Sequence, residues 1–112
     1  MVKVSCVVPI YNALDDVKAL LKSIIDNFNF ELGNVILIND CSAIETTTYL
    51  KEFTQQYPQL TYYENEQNLG FVQTCNKGMQ LSDSEIIVLL NSDTIIPKEF
   101  CERIIKCWAK IR

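Results

Sequence analysis

Short apolar runs alternate along the chain with stretches whose apolar positions recur every three or four residues. The runs suit strands and the spaced stretches suit helices. Val2–Val8 (V-K-V-S-C-V-V) predicts a first strand, ended by Pro9, which has no N–H for a central ladder. After the loop Ile10-Tyr11-Asn12, helical spacing begins at Ala13 and runs through Leu14, Val17, Leu20 or Leu21, Ile24 or Ile25, and Phe28. Asp15 and Asp16 then fall at the positive end of the helix dipole, and Gly33 and Asn34 read as stop signals. Val35–Ile38 predicts a second strand, followed at once by Asn39-Asp40-Cys41-Ser42. Ser42 and Glu45 have capping-box spacing, so a helix is expected from near Ala43, apolar through Leu50, Phe53 and Tyr57 and closed by Pro58. Leu60–Tyr63 is a weaker strand placed towards the sheet edge, Glu64–Gly70 a polar loop, and Phe71, Val72, Cys75 and Met79 mark a short helix. The unbroken run Ile86–Leu90 suits a strand buried on both faces. Pro97 is placed for the first turn of a last helix, with Phe100, Ile104, Trp108 and Ile111 on one face and Arg103, Lys106 and Lys110 on another.

This β-α-β-α-β-α-β-α pattern predicts an α/β fold, a three-layer parallel sheet with helices on its faces and right-handed crossovers. The expected strand order is 3-2-1-4, with Val2–Val8 beside Ile86–Leu90. Each strand is followed by a polar cluster: Tyr11-Asn12, Asn39-Asp40, Glu64 to Asn68, and Asn91-Ser92-Asp93. Four clusters at four strand ends share one edge of the sheet, where ligands of open parallel sheets bind.

Composition narrows the class. The 112 residues form one domain or part of one. Net charge is -4, which argues against nucleic acid as a partner. The balance is uneven: residues 1–96 carry 5 basic and 12 acidic side chains, residues 97–112 carry 5 and 2. The basic side chains of the last helix invite a peripheral contact with anionic lipid, beside the plainer reading of a solvated helix face. Five cysteines without C-x-x-C spacing speak against a disulfide framework or a zinc site. With no export signal at the N-terminus, they point to the cytoplasm. No histidine is present, which removes Ser-His and Cys-His pairs.

The strand ends lack G-x-G-x-x-G and G-x-x-x-x-G-K-[ST], so a dinucleotide fingerprint and a P-loop are excluded. Without a glycine-rich cradle, a diphosphate would need a metal to offset its charge. Asp93 is a hard oxygen donor suited to Mg2+ or Mn2+. Tyr11 offers a flat face for a base and Asp40 an acceptor for a base N–H. Together these residues imply a nucleotide diphosphate held through a divalent metal.

Four motifs, in order, carry a resemblance. Val4–Ala13 (V-S-C-V-V-P-I-Y-N-A), Val35–Ser42 (V-I-L-I-N-D-C-S), Asn68–Gly78 (N-L-G-F-V-Q-T-C-N-K-G) and Leu90–Thr94 (L-N-S-D-T) resemble the N-terminal half of family 2 glycosyltransferases with the GT-A fold, in a rhamnosyltransferase-like form. The resemblance implies a Rossmann-like, nucleotide-sugar-binding half and an inverting, metal-dependent transfer of a sugar from a nucleotide-diphosphate donor to an acceptor hydroxyl, in cell-surface polysaccharide synthesis. It implies that Pro9, Tyr11 and Asn12 shape the base pocket, that Asp40 accepts from the base, that Asn68 and Gly70 belong to the donor loop, that Asn91 and Ser92 lie towards the ribose, and that Asp93 ligates the metal. Three positions depart from the family pattern. Asn39 stands for the first of two aspartates, Cys75 for an arginine, and Asn91 for the first acid of D-x-D. Residues 1–112 match only the donor-binding part, so no catalytic base is assigned. The expected acceptor, a sugar or a lipid-linked acceptor, belongs to a second half. Three expectations follow: a fragment inactive alone, self-association through uncovered apolar surface, and a membrane-peripheral site of action. The alternative is a non-catalytic nucleotide-sugar-binding or interaction module. A response-regulator-like reading of Asp40 fails, because Tyr11-Asn12 stands where an acidic pair is needed.

Overall fold

The structure, a computed structural model, describes residues 2–111. Its elements are β1 (Val4–Ile10), α1 (Leu14–Asn27), β2 (Gly33–Asn39), α2 (Ile44–Gln56), β3 (Thr61–Glu64), α3 (Phe71–Leu81), β4 (Ile86–Leu89) and α4 (Phe100–Ile111). The sheet runs β3-β2-β1-β4 with every neighbouring pair parallel, the order the alternation predicts. β3 stands at one edge, as expected of the weaker strand.

The two faces of the sheet are covered unequally. On one, Cys6, Val8 and Ile10 of β1 and Val35 and Leu37 of β2 pack with Val17, Leu20, Leu21 and Ile24 of α1, Leu50 of α2, and Phe100 and Cys101 of α4. Each large aliphatic side chain buried there contributes ~1.5–3 kcal/mol. On the other, Val7, Ile36 and Ile38 form a small cluster under α3. A Cβ on Gly78 would stand 2.2 Å from Val7 Cγ1 and 3.0 Å from Ile38 Cδ1, so glycine lets α3 lie directly on the sheet.

Several expectations are corrected. Pro9 does not end β1: it pairs with Ile38 inside the strand. Val7 O accepts from Leu90 N at 2.9 Å, so odd residues of β1 turn their polar groups towards β4. That partnership ends at Val7, and the missing N–H of Pro9 falls where no ladder continues. Gly33 and Asn34 open β2, with Gly33 paired to Val4 and Asn34 to Ser5. The capping box does not form, because Ser42 Oγ accepts instead from Asn12 N at 2.8 Å and α2 starts without a side-chain cap. α3 turns Thr74, Cys75 and Gly78 inward and leaves Phe71 and Val72 exposed. Pro97 lies outside α4: Glu99, at φ 59°, supplies the carbonyl for Arg103 N, and that left-handed residue stops the helix from reaching back.

The largest correction concerns β4. It is not buried on both faces. Ile87 and Leu89, paired with Ser5 and Val7 on the α3 side, are 37% and 45% exposed. α3 sits over β1 and β2 and does not extend across them. Arg103, Lys106 and Lys110 of α4 are exposed, and Phe100 and Ile104 pack inward. Among the described residues, no helix is long and apolar enough to cross a membrane.

Candidate functional site

The carboxyl ends of β1 and β2 feed two loops in which non-glycine residues adopt left-handed backbone: Asn12 (φ 58°), Ala13 (φ 57°) and Cys41 (φ 59°). Such geometry costs ~1–2 kcal/mol per residue and persists only where the surroundings over-determine it. Here hydrogen bonds do so. Asn12 N donates to Ser42 Oγ at 2.8 Å, Ala43 N donates to Asn12 Oδ1 at 2.7 Å, and Asp40 N donates to Ile10 O at 2.8 Å. Asn12 therefore stitches the first two loops together.

Asp40 ties in the third loop. The residue is 4% exposed. Oδ1 accepts from Asn65 Nδ2 at 2.9 Å and from Leu69 N at 2.8 Å, and Oδ2 accepts from Gly70 N at 3.0 Å. Asn68 Nδ2 reaches the Asp40 carbonyl at 3.2 Å. Gly70 sits at φ 84°, a backbone only glycine adopts without strain. Burial pushes the Asp40 carboxyl up, but the hydrogen bonds from Leu69, Asn65, Gly70 and Thr74 outweigh it and hold the group below its ordinary range.

Around this frame lies a cleft of about 410 Å3, within the size range of small-molecule sites. Pro9, Tyr11, Asp40, Asn68 and Gly70, all singled out in the sequence, line it. Ile10, Cys41, Phe71 and Thr74 complete it, and the sequence reading missed them. An adjoining cleft of about 320 Å3 shares Pro9, Tyr11 and Phe71 and contains Asn91, Ser92 and Asp93. Tyr11 is 59% exposed and Phe71 57%, so two aromatic rings border both spaces. Asn12 lines neither.

The departures at Asn39 and Cys75 have a structural setting. Asn39 is buried on the opposite side: its Nδ2 donates to Thr47 Oγ1 at 2.9 Å and Tyr62 Oη at 3.0 Å, and its Oδ1 accepts from Ser42 N at 3.0 Å. It holds the turn into α2 and does not face the cleft. Cys75 is 3% exposed, turned inward on α3.

Asp16, read from sequence as a dipole partner, shares the second cleft with Asp93. Among the described residues, no group of three or more His, Cys, Asp or Glu side chains gathers as a metal cage. One or two carboxylates completed by phosphate oxygens and water is the pattern Mg2+ and Mn2+ accept, so the residues present fit such an ion beside a diphosphate.

The thiols divide by burial. Desolvation pushes Cys6 up to about 12, and it raises Cys75 and Cys101 as well. Cys41 and Cys107 are exposed. Brief alkylation of the native protein at neutral pH should therefore add label at Cys41 and Cys107 and spare Cys6, Cys75 and Cys101. Peptide mass mapping reads this directly, and early label at Cys6 would contradict the packing of β1.

The family described as Glycosyl transferase family 2 matches residues 5–112. Among curated relatives, an uncharacterized glycosyltransferase of Haemophilus influenzae is 32% identical over 91% of this chain and 33% of its own length. The glycosyltransferase GlyA of Streptococcus pneumoniae is 26% identical over 93% of this chain and 15% of its own. Among solved structures, S. aureus TarS 1-349 in complex with UDP-GlcNAc aligns with a TM-score of 0.83 at 24% identity, covering 96% of this chain and 31% of that one. The mannosyltransferase PcManGT from Pyrobaculum calidifontis, in complex with GDP-Man and Mn2+, aligns at a TM-score of 0.74 and 20% identity, covering 85% and 28%. These structures share the fold. The chain spans about a third or less of the length of these curated relatives.

Proposed function

Because the chain belongs to glycosyl transferase family 2, we propose that its strand-end cleft binds the nucleotide of a nucleotide-diphosphate sugar, as the donor-binding part of an inverting glycosyltransferase. The observation that carries this reading is the convergence of Pro9, Tyr11, Asp40, Asn68 and Gly70 on one cleft, continuous through Tyr11 and Phe71 with Asn91, Ser92 and Asp93. Tyr11 and Phe71 supply ring faces for a base. The loop held by Asp40 sets the cleft wall, and Asn91 and Ser92 lie on the path from base to diphosphate. Asp93, with Asp16 across the same cleft, would hold a divalent ion, and that ion supplies positive charge against the diphosphate. Structural neighbours solved with UDP-GlcNAc, and with GDP-Man and Mn2+, support the ligand class. Acceptor binding and the carboxylate that deprotonates the acceptor hydroxyl are assigned to the further length seen in the relatives, which leaves residues 1–112 without transfer activity of their own. Free cysteines accord with a cytoplasmic site of action.

Calorimetric titration with uridine, guanosine and thymidine diphosphate sugars, with and without Mn2+, tests the reading. Saturable binding of one base class that needs Mn2+ is expected, with Cys41 protected from alkylation by the bound nucleotide. Absence of binding across the panel, with the protein folded, would overturn it.

On this reading Ile87 and Leu89 face the second half of the domain. An open β4 edge beside an apolar strand face is an association hazard. Residues 1–112 alone should self-associate at high concentration, and Leu89→Lys should shift sedimentation towards monomer. A parent protein monomeric throughout would remove this assignment of the β4 face.

A further inference from the structure

One buried side chain behind the cleft has no part in the function so far. Asn65, on the loop between β3 and α3, is 5% exposed, yet every polar atom it carries has a partner. Its Nδ2 donates to Asp40 Oδ1 at 2.9 Å and to Thr74 Oγ1 at 3.0 Å. Its Oδ1 accepts from Lys77 Nζ at 2.9 Å. Its backbone N donates to Asn39 O at 2.9 Å, and its carbonyl accepts from Cys41 Sγ at 3.2 Å.

The chemistry of these neighbours dictates the residue type. Lys77 can only donate and the Asp40 carboxylate can only accept. A group between them must present an acceptor to one and donors to the other, and a primary amide does both. The same logic fixes the amide's orientation, which is otherwise ambiguous between oxygen and nitrogen. Aspartate at position 65 would put two carboxylates together, and an apolar residue would strand three polar groups at once. Lys77, on α3, is thereby coupled to Asp40 across one side chain, and the Thr74 hydroxyl, having accepted from Asn65, is left to donate to Asp40.

We propose that Asn65 is a positioning residue of the nucleotide site, orienting the Asp40 carboxylate that lines the cleft and coupling it to the ammonium of Lys77. This rests on the nucleotide reading for its functional consequence but not for its geometry. Among the described residues, the ionisable groups hydrogen-bonded to Asn65 are Asp40 and Cys41 at the end of β2 and Lys77 on α3, and Glu64 and Glu66 flank it in the chain.

The test uses Asn65→Asp and Lys77→Met in the 112-residue protein, each first shown to unfold cooperatively. In Asn65→Asp a protonated carboxyl restores a donor towards Asp40, and ionisation removes it. Relative to the parent at the same pH, binding of the nucleotide found by titration should be about tenfold weaker near pH 8 and within about threefold near pH 3.5, where an ordinary aspartate is mostly protonated. A merely structural asparagine would leave that ratio constant with pH, and a constant ratio overturns the proposal. If the parent binds no nucleotide, the nucleotide reading falls. Carbon-13 titration of the Asp40 carboxyl then decides the coupling without ligand: its midpoint should rise in both variants. An unchanged midpoint in Lys77→Met overturns the coupling even where Asn65→Asp fails to fold.

Discussion

Asp93→Asn should weaken nucleotide-diphosphate binding by about a hundredfold and abolish its dependence on Mn2+. A diphosphate brings two or more negative charges to a cleft whose own charged lining residues, Asp16 and Asp93, are both acidic. Lys77, on the helix that opens at the cleft, is engaged at 2.9 Å by Asn65 Oδ1. Unit charges about 4 Å apart interact by ~4 kcal/mol at an effective dielectric of 20, and a divalent ion doubles the attraction on each side. Asparagine keeps the size of Asp93 and one oxygen but removes the charge that makes the ion's presence favourable. Asp93 is exposed, so its replacement should leave the fold intact and the loss should read out in binding alone. Asp16→Asn should give a smaller loss, since that carboxylate also belongs to the first turn of α1. Calorimetry with Mn2+ and then with chelator separates the cases. Parent-like affinity with parent-like metal dependence in Asp93→Asn would remove the metal assignment.

Part of this was legible in the sequence because it is periodic. The β-α alternation and the buried runs of β1 and β2 dictate a parallel sheet, and parallel sheets gather their loops at one edge. That is why Pro9, Tyr11, Asp40, Asn68 and Gly70 fall together on the sequence pattern alone. The misses have physical causes too. Ile86–Leu89 is as apolar as a doubly buried strand, but periodicity records what a segment is fit to bury, and α3 covers only β1 and β2. Ser42 and Glu45 have the right spacing for a cap, yet a tertiary donor, Asn12 N, claims the hydroxyl. The sequence marks Phe71 only as one of the apolar residues of a short helix. It opens α3 directly after Gly70, and that first turn faces the cleft. Asn65 falls inside the polar cluster Glu64 to Asn68, but nothing local singles it out, because its side-chain partners lie 9 to 25 residues away and act only once the sheet has formed.

Asp40→Asn should be the more damaging substitution for the protein itself. The carboxylate accepts from Asn65 Nδ2 and Leu69 N on one oxygen and from Gly70 N on the other. An asparagine offers one oxygen, and whichever way it turns, its NH2 meets at least one of those donors. A buried donor left without an acceptor costs ~1–3 kcal/mol, and donor facing donor adds to it. A loss of about 2–4 kcal/mol is expected, a large share of the ~5–15 kcal/mol that holds a domain together. The pH dependence gives a second signature. The folded carboxyl titrates below its ordinary value, so its contribution is complete above the unfolded pKa of about 3.9 and is lost as pH falls through the lower, folded value. The stability gap between parent and Asp40→Asn should therefore stay constant from neutral pH to about 4 and close below that. Urea unfolding across this range measures it, and a gap that stays open near pH 2 would mean that charge is not what the loop recognises. The two aspartates then separate by function. Asp40→Asn disturbs the loop that walls the cleft but leaves Asp93 in place, so whatever nucleotide it still binds should continue to require Mn2+, whereas Asp93→Asn should bind weakly with or without it.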